Sequence, residues 1–135
     1  MTDTSNLTPA KNKIPYLLMV SATIILIMGI VGFLFFATAT TYQFYHPQFL
    51  NEISSTYQLT NLNIYVIIQT LLHSGLIISA LLIIKQKIEG LYLYFSVFLV
   101  MLAVELFFDN LIILNYVISG LLMGLVIMIY RRRLS

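Results

Sequence analysis

Residues 62–84 read LNIYVIIQTLLHSGLIISALLII and residues 91–108 read LYLYFSVFLVMLAVELFF, with only KQKIEG between them. Each run has close to the ~20 apolar residues a helix needs to cross hydrocarbon. A connection this short forces neighbouring helices to run antiparallel. The pair therefore reads as a transmembrane hairpin, and the rest of the chain extends it on both sides.

Downstream, Asp109-Asn110 makes a second tight turn, and a further apolar run spans 111–130 before Arg131-Arg132-Arg133. Upstream, residues 14–41 form another apolar run, with Pro15 at its start, where a missing N–H costs nothing. Lys11, Lys13 and this run resemble a signal peptide, and Ala37-Thr38-Ala39 a cleavage site, but a signal core is typically about 7–15 residues. The run is therefore read as the first span. Residues 1–13 are a polar tail and 131–135 a basic one.

Residues 42–61 are the one long polar connection. Phe49, Leu50, Ile53 and Tyr57 share a helical face, with Gln48, Glu52 and Ser55 on the other. After Pro47 this predicts a short amphipathic helix on the membrane surface, with Tyr42, Phe44, Tyr45 and Tyr57 at headgroup level. Thr60 or Asn61 is placed to cap the second span. The expected fold is an all-α integral membrane protein. Four transmembrane helices (14–41, 62–84, 91–108, 111–130) form an antiparallel up-down bundle, with the surface helix between the first two.

Composition agrees. Of 135 residues, 60 % are hydrophobic and 9 % charged, against about 25 % charged in a soluble domain. The mean hydropathy is +0.96. No compact fold of this size buries that much apolar surface, which excludes a soluble globular domain, a disordered chain and a nucleic-acid-binding module. The absence of Cys excludes disulfides and thiolate chemistry. All seven Lys and Arg lie in the N-terminal tail, the 85–90 turn or the C-terminal tail. The positive-inside rule puts those segments, and both termini, on the cytoplasmic side of the cell membrane.

Familiar catalytic motifs are missing. Gly29 and Gly32 lie inside an apolar run, not in a phosphate-cradling loop, and His46 and His73 are the only histidines. No Lys lies within a span, no His-Glu-x-x-His occurs, and the carboxylates are too few for a di-metal site. No cofactor and no metal are expected, and the balance is against an enzyme.

The informative residues are polar ones inside the spans. Ionisable groups in hydrocarbon are costly and usually face the bundle interior. Counting from the outer ends of the helices at ~1.5 Å per residue, Gln69 lies roughly 10 Å deep, His73 roughly 16 Å, Glu105 roughly 7 Å, Asn115 about 6 Å and Ser119 about 12 Å. Gln69 and His73, Glu105 and Asp109, and Asn115 and Ser119 are each i,i+4 pairs, so each pair shares one side of its helix. Three polar strips at overlapping depth, with Thr38 and Thr41 as a fourth wall, suggest a pocket open to the outer face. Glu105, His73, Gln69, Asp109, Asn115, Ser119 and Thr38 are its candidate ligand- or proton-binding residues. The same residue types also serve as interhelical hydrogen bonds worth about 0.6–2 kcal/mol each. Gly120 and Gly124, and Gly75 and Ser79, have the small-xxx-small spacing of close helix packing.

The functional expectation is an accessory, scaffold or binding subunit of a membrane assembly. Its partners would be the lipid bilayer and either another membrane protein or further copies of itself. A proton-linked transporter or channel built as an oligomer is the second reading, with Glu105 as the switching carboxyl. A membrane enzyme acting on a lipid or quinone headgroup is the third.

Overall fold

A computed structural model describes residues 14–48, 51–52, 61–108 and 111–134. The described residues are helical, with no strand among them. The helices are α1 (Tyr16–Tyr45), α2 (Leu62–Ile84), α3 (Ile88–Phe107) and α4 (Leu111–Ile129), followed by a 3-10 turn at Arg131–Arg133. Of these, α1, α2 and α3 are long and apolar enough to cross a membrane, and α4 has a shorter apolar stretch over Val117–Ile129.

Two boundaries differ from the sequence reading, and one cap works differently. The first helix continues four residues past 41, so Tyr42–Tyr45 are helical and do not belong to the loop. No Gly or Pro interrupts this stretch before Pro47, and its threonines bond back to their own helix. Thr38 and Thr41 donate to the carbonyls of Leu34 and Ala37, 2.7 and 2.8 Å away. The connection between α2 and α3 is also tighter than six residues. Lys85–Lys87 make the turn, with Gln86 in the left-handed region at φ 58°, and Glu89 and Gly90 already belong to the first turn of α3. Asn61 does precede α2, but it caps through its backbone. Its side chain makes no capping bond, its φ is 54°, and its carbonyl accepts from Ile64 and Tyr65.

In the expected surface helix, residues 47–48 and 51–52 are helical and exposed. Phe49, Leu50, Ile53, Ser55 and Tyr57 lie outside the described residues.

Each helix buries one stripe and exposes apolar side chains elsewhere. On α1 the stripe is Leu18, Ser21, Ala22, Ile25 and Gly29, while Ile27, Val31, Leu34 and Phe35 stand exposed. On α3 it is Leu91, Tyr94, Phe98, Met101 and Glu105, spaced three or four apart as one helical face requires. A helix that is apolar on every face is buried or faces lipid.

The stripes meet in a definite register. Along α1 the contacts step from Gly29 against Ile77 to Gly32 against His73 and Thr40 against Thr70, whose hydroxyls are 3.3 Å apart. Residue numbers thus rise along α1 as they fall along α2. Beside the 85–87 turn, α3 crosses α2 closely. An added Cβ on Gly90 would lie 2.7 Å from the Ile83 nitrogen and 2.8 Å from the Ser79 carbonyl oxygen. On α4, Gly120 and Gly124 receive the rings of Phe98 and Tyr94 from α3, and the Tyr94 hydroxyl donates to the Gly120 carbonyl. Gly75 on α2 sits against Val97. Ser79 is buried and donates to the Leu76 carbonyl at 2.8 Å. The small residues singled out by spacing therefore pack within the chain. The main core joins Leu18, Ala22 and Ile25 to Leu76, Ala80 and Ile83, and to Leu91, Tyr94 and Phe98.

Candidate functional site

Glu105 takes the last position of the α3 buried stripe, where an apolar residue would continue the pattern. On α2 the corresponding stripe runs Tyr65, Gln69, His73, Leu76, Ala80 and Ile83. Three successive turns of α2 thus place polar-tipped side chains where its lower half has aliphatic ones. The two stripes face each other, so the polar ends meet.

The Tyr65 hydroxyl donates to Glu105 Oε1 at 2.9 Å, and Gln69 Nε2 donates to the same oxygen at 2.6 Å. Glu105 Oε2 is buried and has no partner among the described residues. Glu105 and Gln69 are each 2 % exposed, and Tyr65 and His73 each 4 %. Hydrogen bonds to a buried acceptor resist breakage because each released group is left without water to replace the lost partner.

His73 belongs to the same cluster through Gln69. Its Nδ1 lies 2.8 Å from the Gln69 carbonyl oxygen. A carbonyl only accepts, so Nδ1 is the donor in this bond. The imidazole is packed on Phe36 with ring centroids 5.1 Å apart. Its Cδ2–Nε2 edge lies over Gly32, where an added Cβ would fall 1.9 Å from Cδ2. Gly32 thus leaves the space that the ring fills. Phe36 also meets Tyr65 edge to face, with centroids 6.1 Å apart, and Tyr65 meets Phe108 at 5.3 Å. Aromatic rings from α1, α2 and the end of α3 therefore enclose the polar groups.

Of the seven candidate residues, Glu105, Gln69 and His73 come together. Thr38 does not join them. It is exposed, on the face of α1 opposite the buried stripe, where it lines a shallow groove with Leu34, Thr41 and Tyr45. Ser119 is exposed and lies beside a separate apolar cavity of about 50 Å³ between Met28, Leu76, Tyr94 and Phe98. Asp109 and the side chain of Asn115 lie outside the described residues. Sequence reasoning missed Tyr65, although it stands one turn before Gln69 on the same strip. Gly32 and Phe36 were missed as well. Nothing in the α1 sequence marks them as partners of His73, because the α1–α2 register is set by packing.

Among the described residues no group of three His, Asp or Glu side chains is placed to hold a metal ion. No family model, curated protein or solved structure matches this chain.

Proposed function

We propose that the chain is a multi-pass protein of the cell membrane whose four helices form an antiparallel up-down bundle, with both termini on the cytoplasmic side. In this reading it is an accessory, scaffold or binding subunit of a larger membrane assembly. Three apolar helices of spanning length support the membrane placement. The opposed contact registers of α1 with α2, and the 85–87 turn between α2 and α3, support the antiparallel order. Two of the basic segments lie toward one end, since Arg131 donates to the Tyr92 hydroxyl at 3.1 Å, near the start of α3 that follows the Lys85–Lys87 turn.

The observation that carries the subunit reading is how the polar groups are used. Tyr65 and Gln69 donate to Glu105, and His73 bonds the Gln69 backbone. Beyond His73 the helix interface is closed by Leu76, Ala80, Ile83 and Ile25, all at most 2 % exposed. Among the described residues this polar knot borders an apolar core in which buried Ser79 bonds back to the Leu76 carbonyl, an arrangement that holds helices in register. The outer faces of α1 and α3 carry Leu34, Phe35, Leu99 and Leu106 exposed, surfaces suited equally to lipid and to partner helices. The orphaned Oε2 of Glu105 favours a second reading, a proton-linked carrier working as an oligomer.

Copurification after mild solubilisation, together with proton flux in liposomes holding the purified chain, separates the two readings. A stable membrane partner and no flux are expected, and flux by the chain alone would replace the subunit reading with the carrier. Topology is checked with Ser55→Cys and Gln86→Cys in intact cells. An impermeant thiol reagent should label position 55 and not position 86. Labelling of 86 alone inverts the orientation, and labelling of both breaks the span count.

A further inference from the structure

We propose that Glu105 is a proton-binding site within the bundle, with the proton held on Oε2 while Oε1 acts as a doubly accepting carbonyl oxygen. The inference rests on the membrane reading above and adds the chemical identity of what the site holds.

The geometry distinguishes the two oxygens. Oε1 collects both donors, Tyr65 Oη–H and Gln69 Nε2–H. Oε2 is buried and bare among the described residues. A carboxylate shares its charge between both oxygens, and each is an acceptor. A neutral acid is asymmetric, with one carbonyl oxygen that accepts and one hydroxyl. The observed distribution of donors is that of the neutral acid. Stranding an ionised oxygen without a partner costs far more than stranding a neutral hydroxyl.

Among the described residues the surroundings supply no Lys or Arg to take the proton's place, and the titratable groups facing this cluster are Tyr65 and His73, both on α2. The described side chains of α1 at this level, Phe36 and Thr40, are not ionisable, and α4 presents no ionisable group over Val117–Ile129. Lys85 and Lys87 lie at the opposite end of α3, about 25 Å away at ~1.5 Å per residue. His73 is occupied with the Gln69 carbonyl through Nδ1.

Loss of the proton would leave a charge on Oε2 with no donor among the described residues to receive it, so the arrangement retains the proton. Tyr65 and Gln69 are positioning residues that hold the acid through Oε1 across the α2–α3 contact.

Infrared difference spectroscopy on the full chain in phosphatidylcholine liposomes at neutral pH tests the assignment. The wild type should show the C=O stretch of a neutral carboxylic acid. Glu105→Gln should remove one carboxylic-acid equivalent per chain and leave the carboxylate bands unchanged. Tyr65→Phe should keep the band and move it to higher frequency, because the carbonyl oxygen loses one of two donors. Loss of a carboxylate band in Glu105→Gln, or an unmoved carbonyl band in Tyr65→Phe, overturns the proposal. The Tyr65→Phe result stands by itself if Glu105→Gln fails to fold. Alkaline carbonate extraction of native membranes tests the membrane reading separately. Release of the chain refutes that reading, whereas only the infrared bands bear on the proton.

Discussion

Replacing Glu105 by Leu and by Gln should have unequal effects on stability. Glu105 Oε1 is the common acceptor for Tyr65 and Gln69 at 2.9 and 2.6 Å, inside a cluster 2–4 % exposed. Leu removes the acceptor and leaves two buried donors unsatisfied. At about 1–3 kcal/mol for each stranded group the loss is about 2–6 kcal/mol. Interhelical hydrogen bonds in membranes average about 0.6 kcal/mol and reach about 1.7, which sets a floor near 1 kcal/mol for the pair. The apolar side chain of Leu recovers little, because lipid is as apolar as the site. A loss of about 1–4 kcal/mol is therefore expected for Glu105→Leu. Glu105→Gln retains a carbonyl oxygen of the same reach and should stay within about 1 kcal/mol of wild type. The assay is reversible unfolding in mixed micelles, titrated with a denaturing detergent and followed by circular dichroism. The double variant Tyr65→Phe/Glu105→Leu completes a cycle. If the hydrogen bond is the cause, Tyr65→Phe costs less in the Leu background than in wild type. Equal stability of Leu and Gln variants, or strict additivity in the cycle, would refute the reasoning.

Three further outcomes follow from the packing. Gly32→Ala should displace the His73 imidazole, since the new Cβ would fall 1.9 Å from Cδ2. Overpacking of this kind costs about 1–3 kcal/mol, and the His73 ring resonances in NMR should shift while those of His46 stay in place. Gly90→Ala should be worse tolerated than Gly75→Ala. The first meets backbone atoms at 2.7 and 2.8 Å and the second only a Val97 methyl at 2.9 Å, so thermal unfolding in detergent should rank Gly90→Ala lower. Tyr94→Phe should destabilise by about 1 kcal/mol, through loss of the hydroxyl's hydrogen bond to the Gly120 carbonyl, and an unchanged midpoint would remove that bond from the account.

The sequence by itself determined that the chain is helical and where its helices stand. Runs of Leu, Ile, Val and Phe longer than a soluble helix needs, broken only by short polar turns, leave no other way to satisfy the backbone. It also placed Gln69, His73 and Glu105 on interior faces, because the 3.6-residue period aligns them with Leu76, Ile83, Tyr94 and Met101. The tertiary structure decided which neighbours those residues have. Tyr65 became a donor to Glu105 through the α2–α3 register, and Gly32 and Phe36 became the floor and wall of His73 through an α1–α2 register, neither of which a local pattern encodes. Thr38 turned outward for the same reason. Once Leu18, Ile25 and Gly29 are packed against α2, helical geometry carries Thr38 to the opposite side of α1. Periodicity fixes the face of a residue along its own helix, whereas the partner across the interface depends on how two surfaces interlock, and only packing selects that.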